Sequence, residues 1–205
     1  GMIADLAIHV DRKNDGDYYH AHVMLTTRTV NQDGFGQKAR TWNSKDLLFE
    51  WRQEWAEHCN RYLALNGLDL RIDHRTLADQ AISLEPQHKI GPEAARDELT
   101  RALDHQRIAR ENGVRLLQEP QIALKALTQQ QSTFTHKDLA RFINTHTVDA
   151  QQFTQVFELV KSQSNIVKLG LDDRQQERFT TSEMLSLESK MLEQAIALYA
   201  IYEHE

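Results

Sequence analysis

Two stretches near the start of the chain alternate apolar and polar residues, as a β-strand with one buried face does. They span residues 5–11 and 19–27, and the segment between them, KNDGD, has the composition of a turn. The pattern therefore predicts a β-hairpin in which residues 5–11 pair with residues 18–24. Residues 29–43 are expected to form a loop, with Gly34 and Gly36 marking its turns.

A helix is predicted next, from a cap at Ser44 to a stop at Asn66 and Gly67. Apolar residues three and four positions apart form one face of it, namely Leu47, Leu48, Trp51, Trp55, Cys59 and Tyr62. We expect this face to be core and to pack on the apolar side of the hairpin, at Leu6, Ile8, Val23 and Leu25. Residues 70–73 are a candidate strand and residues 76–82 a helical turn.

A long charged segment, residues 92–117, is predicted to be a helix that starts at Pro92. Its apolar stripe is thin, since it consists of Leu99, Leu103 and Ile108. A helix of this kind is typical of a solvated strut, and we interpret it as the connection between two domains.

In the C-terminal part of the chain, short segments in which apolar residues recur with the period of a helix are followed by segments that alternate as strands do. Thr135 and Asp138 form a capping-box signature before a helix whose face contains Leu139, Phe142 and Ile143. A second helix is predicted over residues 149–162, a hairpin from residues 166–169 and 178–180, and a final amphipathic helix over residues 182–203. Helices followed by a hairpin are the order of a winged helix.

Composition narrows the class of protein. The chain has 205 residues, which suits two small domains, and its single cysteine, Cys59, excludes an internal disulfide. No apolar run approaches the roughly 20 residues of a membrane span, and no leader opens the chain, so we expect a soluble cytoplasmic protein. The net charge of −6 argues against a broad nucleic-acid surface. Cations nevertheless gather in the first part of the chain, at Arg28, Lys38, Arg40, Arg52, Arg71 and Arg75.

The predicted hairpin carries three of the ten histidines. Side chains two apart on a strand share a face, so His20 and His22 project together, and His9 lies opposite them if the strands pair as predicted. Three imidazoles that converge on one point suit a divalent ion with an open coordination position. The alternative is a set of half-exposed strand histidines that bind nothing.

These histidines and the residues around them resemble the metal-binding motif of the MobA/MobL relaxases, especially the relaxase half of Ti-type TraA conjugation proteins. The resemblance covers residues 3 to about 95. It is carried by His9, the run His20-Ala21-His22-Val23-Met24-Leu25-Thr26-Thr27-Arg28, Asp33-Gly34-Phe35-Gly36, Arg40-Thr41-Trp42-Asn43, Trp51-Arg52, Trp55, Asn60, Arg71-Ile72-Asp73-His74-Arg75, His88 and Ile90-Gly91-Pro92. Two positions depart from the family pattern: Tyr18-Tyr19 stands where Asn-Pro is usual, and Gln80-Ala81-Ile82 stands where a glycine is usual.

The resemblance implies an HUH endonuclease that nicks single-stranded DNA at a plasmid transfer origin through a tyrosine nucleophile and a divalent metal, Mg, Mn or Zn. His9, His20 and His22 are the expected metal ligands. A role in orienting the metal ligands is expected for Asp11, Asp73 and His74, and DNA contacts are expected for Arg28, Lys38, Arg40, Trp42 and Arg75. Alternatively, Trp42 only packs on the helix that follows it.

The family's tyrosine lies upstream of this motif, so the nucleophile is expected upstream of this sequence and the catalytic residue stays unknown. Tyr18 has the strand parity to face the metal and is a formal substitute. The chain alone is expected to be inactive, and no Gly-x-x-x-x-Gly-Lys-Ser/Thr motif is present for ATP hydrolysis. The C-terminal part resembles, more loosely, the module that precedes a RecD-type helicase in TraA-like proteins, through Phe134-Thr135, Asp138-Leu139, Phe179-Thr180-Thr181 and Glu188.

The sequence therefore predicts an α+β fold: a partial antiparallel-sheet HUH relaxase domain over residues 1–95, a connecting helix over 96–118, and a mostly helical, winged-helix-like module over 119–205. The implied partners are single-stranded DNA and relaxosome or coupling proteins, and an exposed sheet edge could join two copies. A rival function is a non-catalytic DNA- or relaxosome-binding protein with a vestigial His cluster. A small-substrate metallohydrolase ranks last, because only Asp11 and Asp17 offer a nearby general base.

Overall fold

A computed structural model describes residues 3–13, 16–87 and 98–202 of the chain. Its contacts group into two compact units, Gly1–Trp55 and Ala56–Glu205, and each unit is described by itself. The family-based division at residues 95 and 118 remains a prediction.

The first unit opens with the predicted hairpin, formed by β1 (Ala4–Lys13) and β2 (Gly16–Leu25). The strands are antiparallel, and their register runs from Asp5 opposite Met24 to Asp11 opposite Tyr18, so the predicted pairing is confirmed. Asn14 and Asp15 of the predicted turn lie outside the described residues. Because the side-chain period of a strand is two, this register puts every histidine of the hairpin on one face.

A second ribbon follows where a loop was predicted, so that prediction is wrong. Strand β3 (Arg28–Asn31) pairs with β4 (Gly34–Lys38) in an antiparallel manner. Asn31 lies opposite Gly34, which leaves a two-residue turn, and the positive φ of Gly34 (107°) suits glycine. The Asn31 Oδ1 accepts the Asp33 N–H at 3.0 Å and fixes the turn. A 3₁₀ turn, Arg40–Asn43, leads to the next helix.

Helix α1 (Lys45–Leu65) has the predicted bounds, and Ser44 Oγ accepts the Leu47 N–H at 3.2 Å as its cap. The prediction that its aromatic face is core is wrong: Trp51, Trp55 and Tyr62 are 40%, 68% and 68% exposed. The apolar side of the hairpin is exposed too, since none of its four side chains, Leu6, Ile8, Val23 and Leu25, is buried. An apolar stripe predicts which face is available for burial, and burial itself requires a surface to pack against.

The segment after α1 forms no strand over residues 70–73, which contradicts the sequence pattern. Asn60 instead holds this segment, since its side chain donates to Ile72 O at 2.9 Å and accepts from Ile72 N at 2.8 Å. Side-chain amides can thus satisfy a backbone that has no neighbouring strand. The helical turn predicted for residues 76–82 is confirmed by backbone hydrogen bonds from Gln80 to Thr76 and from Ile82 to Leu77.

The second unit contains a winged-helix-like order of elements, as predicted. Its elements are α3 (Gln121–Gln130), α4 (His136–Thr145), α5 (Ala150–Lys161), β5 (Ile166–Leu171), β6 (Glu177–Thr181) and α6 (Ser182–Tyr202). Strands β5 and β6 form an antiparallel hairpin, and Phe134, between α3 and α4, exchanges two 2.8 Å backbone hydrogen bonds with Phe179 of β6. The α+β class is confirmed. Residue 203, the predicted end of the last helix, lies outside the described residues.

The local signals of this unit are confirmed as well. Thr135 and Asp138 form a reciprocal capping box at the start of α4, and the Asp149 side chain accepts the Gln152 N–H to cap α5. The core below these helices contains Leu116, Ile122, Leu124, Phe134, Leu139, Ile143, Val156, Val160 and Phe179.

Helix α2 (Glu98–Gln118) only partly matches the predicted solvated strut, whose start at Pro92 lies outside the described residues. Leu99 and Leu103 are exposed, but Ile108, Asn112 and Leu116 are fully buried. The second half of α2 packs against α5, where Gln152 Nε2 donates to Arg110 O at 2.9 Å. This half belongs to the core of the second unit, contrary to prediction. Among the described helices, none has the length and apolar character of a membrane span.

Candidate metal centre

The hairpin brings His9, His20 and His22 together as the sequence predicts. His9 lies directly opposite His20, and His22 lies opposite Ala7, one step along the same face. The ring centroids are 5.4 Å apart for His9 and His20, 4.7 Å for His9 and His22, and 5.0 Å for His20 and His22. One nitrogen from each ring can be chosen so that all three lie within 4.8 Å of one another. We call these three residues the histidine cluster.

The chemistry of this donor set fits a divalent transition ion. Ring nitrogens bound to one tetrahedral ion are about 3.4 Å apart when each metal–nitrogen bond is about 2.1 Å. Small side-chain rotations close the difference, because His9 and His22 are exposed and His20 is half-buried. Imidazole is a preferred ligand of Zn, Cu, Fe and Ni, and three such ligands leave coordination positions for an oxygen ligand.

A carboxylate stands beside the cluster on the same strand face. Asp11 Oδ2 lies 3.7 Å from His20 Nδ1, which is an electrostatic contact rather than a hydrogen bond. A carboxylate at Nδ1 favours the proton on that nitrogen and leaves Nε2 free as a ligand. Tyr18 is opposite Asp11 and therefore also faces this side, where it is 46% exposed.

The cations predicted to contact DNA lie on or just after the second ribbon, β3–β4. Arg28 and Lys38 are directly opposite each other, and Arg28 Nη1 donates to Gly36 O at 3.1 Å. Arg40 is exposed on the 3₁₀ turn, and Trp42 of the same turn is half-buried. Like charges opposite each other destabilise a strand pair, and in the described part of the chain neither Arg28 nor Lys38 has a carboxylate partner. We call β3–β4 the cationic ribbon.

The other predicted site residues, Asp73, His74 and Arg75, belong to the second unit. The Arg75 guanidinium donates to both oxygens of Asp73, with an N–O distance of 2.6 Å to Oδ2, and this bond lowers the pKa of the Asp73 carboxyl. Asp73 also accepts the Arg75 N–H, so the pair stabilises its own turn. The predictions that Asp73 and His74 orient the metal ligands and that Arg75 contacts DNA remain predictions.

Sequence reasoning missed one exposed aromatic. Phe35 lies on the cationic ribbon, opposite Val30, and is 73% exposed. The sequence did contain a signal for it. Asp33-Gly34 is a turn signal typical of β-hairpins, and a hairpin built on that turn has Phe35 on its second strand. An exposed ring beside cations is a surface on which a base can stack.

Comparisons with known proteins find relatives among conjugal transfer and mobilisation proteins. The model of the MobA/MobL family matches residues 1–99. The conjugal transfer protein TraA of Agrobacterium fabrum is 29% identical over 97% of this chain, and its counterpart from Rhizobium radiobacter is 29% identical over 95%. Mobilization protein A of Escherichia coli is 33% identical over 42% of this chain, or 14% of its own length. No solved structure matches.

The chain spans 21% of the length of either TraA relative. The family match contains the whole histidine cluster and the cationic ribbon, whereas the similarity to TraA continues through the winged-helix-like elements. Residues 1–99 of this chain are therefore similar to the MobA/MobL family, as the sequence motifs predicted.

Proposed function

We propose that this chain carries the metal-binding part of a conjugative relaxase, which nicks single-stranded DNA at a transfer origin. The observation that carries the proposal is the convergence of His9, His20 and His22 on one hairpin face within a family match to mobilisation proteins. The nucleophile is not assigned to a residue of this chain.

The histidine cluster would hold the divalent ion, and Asp11 would orient the ring of His20. A bound ion in such a site supplies Lewis-acid polarisation of a phosphate oxygen. The protein contributes a fixed face: the ladder of β1 and β2 sets the spacing of the three rings before any ligand arrives. Such preorganisation lowers the conformational cost of binding.

The cationic ribbon, which follows the histidine cluster along the chain, would bind the phosphodiester backbone of the DNA. Two opposed cations, Arg28 and Lys38, gain from an anion between them, because the anion relieves their mutual repulsion. Arg40 extends this charge, and Phe35 offers a stacking surface. Since the net charge of the chain is −6, this binding should be weak and sensitive to salt.

The first test is calorimetric titration of the chain with Mn²⁺ and Zn²⁺, together with the double variant His20→Ala/His22→Ala. We expect one site in the parent chain and its loss in the double variant. His74→Ala is the matched control, because it removes an imidazole from the other unit and should leave the site intact. An equal loss of metal binding in the double variant and in His74→Ala would contradict the assignment of the ligands.

A second measurement tests whether the cationic ribbon binds single-stranded DNA. Single-stranded DNA labelled with a fluorophore is titrated with the chain at low salt, with and without Mn²⁺. Lys38→Gln should weaken binding, and Lys45→Gln, an equal charge change on α1, should not. Metal binding without any affinity for single-stranded DNA would favour a structural His cluster.

A further inference from the structure

Helix α5 occupies the position of a recognition helix in the winged-helix-like part of the second unit. It follows α4 after a short connection, precedes the β5–β6 hairpin, and buries Val156 and Val160 on its inner face. Its outward face is polar and exposed, and it consists of Gln151, Thr154, Gln155 and Glu158. Packing against α2 involves the side of α5 that carries Gln152, so the outward face stays accessible.

Glutamine and threonine are side chains that read base edges in the major groove. An α-helix fits that groove, and residues near the helix N-terminus make the base contacts in helix-turn-helix proteins. Gln151, Thr154 and Gln155 all lie in the first half of α5, just after its cap at Asp149.

Cations surround the place where α4, α5 and the hairpin meet. Lys137, at the start of α4, lines a cavity of 220 Å³ with Gln176 and Glu177 of the hairpin. Lys161, at the end of α5, lines a neighbouring cavity of 200 Å³ with His136 and Glu177. Glu177 is the sole carboxylate that lines either cavity, and Lys168 of β5 already pairs with it. Lys137 and Lys161 form no ion pair within the described residues, so both ammonium groups can meet an anion, although Glu158 of the outward face and Asp172 and Asp173 of the hairpin turn are acidic.

The turn of the hairpin carries another cation. Asp172 Oδ1 accepts the backbone N–H groups of Arg174 and Gln176, both at 2.9 Å, and so fixes the turn. The Arg174 side chain is exposed, and it makes no ion pair within the described ranges. A narrow minor groove attracts arginine side chains, and an exposed arginine at the tip of a hairpin can reach one.

We propose that this part of the chain, residues 121–181, binds duplex DNA. Helix α5 enters the major groove with Gln151 and Gln155, Lys137 and Lys161 hold phosphates on the side of the β5–β6 hairpin, and Arg174 contacts the adjacent groove. This surface belongs to the second unit and the histidine cluster to the first, so the proposal does not depend on the metal centre. It gives the protein a way to hold duplex DNA while a single strand is bound elsewhere.

The test uses the full chain and a fluorescently labelled random-sequence duplex of about 20 base pairs, roughly two helical turns. Anisotropy is followed at low salt and at several salt concentrations. The double variant Lys137→Gln/Lys161→Gln should bind at least about 10-fold more weakly and lower the slope of log K against log salt by about two. Lys45→Gln/Lys190→Gln is the matched control, since it makes the same charge change at exposed cations outside residues 121–181 and should bind like the parent.

His20→Ala/His22→Ala should leave duplex binding unchanged, so a failure of the metal proposal is distinguished from a failure of this one. No duplex binding at low salt would overturn the proposal. Equal weakening in the matched control, or equally effective competition by an unlabelled single strand of the same sequence, would overturn it too.

Discussion

Asn112 is fully buried in α2, and its side-chain amide forms two hydrogen bonds with the backbone of Glu85, one as acceptor and one as donor. Its Oδ1 accepts the Glu85 N–H and its Nδ2 donates to Glu85 O, both at 2.8 Å. The side chain thus replaces the neighbouring strand that residues 83–87 lack. Replacing Asn112 with alanine removes both hydrogen bonds at once and leaves two backbone groups without a partner.

The expected cost follows from those two groups. A polar group that is buried without a partner costs about 1–3 kcal/mol. Glu85 is half-buried, so water reaches part of its backbone and the lower end of this range applies to each group. We expect Asn112→Ala to lower the free energy of unfolding by about 2–3 kcal/mol. For a chain of this size that corresponds to a fall in Tm of roughly 4–12 °C.

The measurement is urea unfolding followed by circular dichroism, with a thermal melt as a second readout. Asn66→Ala is the matched control, because the exposed Asn66 donates one hydrogen bond to Tyr62 O near the end of α1. It should cost less than about 0.5 kcal/mol. A cost for Asn112→Ala no greater than that of the control would refute the argument that this side chain holds residues 83–87 on α2.

Three further predictions concern the second unit. Burial lowers the pKa of His146 from its ordinary 6.5, outweighing its contact with Phe142 O, so folding favours the neutral ring; stability should be full above pH 6.5 and fall as the pH drops below it. His146→Gln should flatten that part of the stability profile measured by urea unfolding at stepped pH, and an unchanged profile would contradict the assignment. Thr135→Ala removes the Thr135 side-chain bonds of the capping box with Asp138 and should cost about 1 kcal/mol, whereas Thr135→Ser should keep most of it; equal losses would argue against the cap. Phe134→Ala empties a fully buried position and should cost about 3–5 kcal/mol in the same assay, and a cost below about 1.5 kcal/mol would mean that the site collapses.

The acid side of the His146 prediction follows from proton counting. Below pH 6.5 the unfolded chain binds a proton at this histidine more readily than the folded chain does. The unfolded state is therefore favoured as the pH falls towards the lowered pKa. Once the pH is below that lowered pKa, the ring is charged in both states and its effect becomes constant.

Features that depend on neighbours in sequence were predictable. The hairpin register follows from strict alternation, because a slip by one residue would put every apolar side chain on the opposite face. The caps at Ser44 and Thr135 follow from side chains that reach amide groups three positions on. The histidine cluster follows from both rules, since two ligands share a strand face and the register supplies the third.

Features that depend on which surfaces meet were not predictable in the same way. Residues 70–73 have strand composition, yet Asn60 satisfies their backbone and no strand pairs with them. The sequence around Arg28 and Lys38 did not predict strands. Only the pairing of β3 with β4 showed that these two like charges lie directly opposite each other.

The sequence by itself determined the local elements of this protein, the similarity of its first 99 residues to the MobA/MobL family and the placement of three imidazoles on one face. These follow from side-chain periodicity and short-range hydrogen bonds, which act over a few residues. Tertiary structure decided which apolar faces are buried: α2 buries Ile108 and Leu116, whereas Trp51 and Trp55 of α1 stay exposed. Hydrophobic burial is non-directional and depends on area, so an apolar stripe does not specify the surface that will cover it.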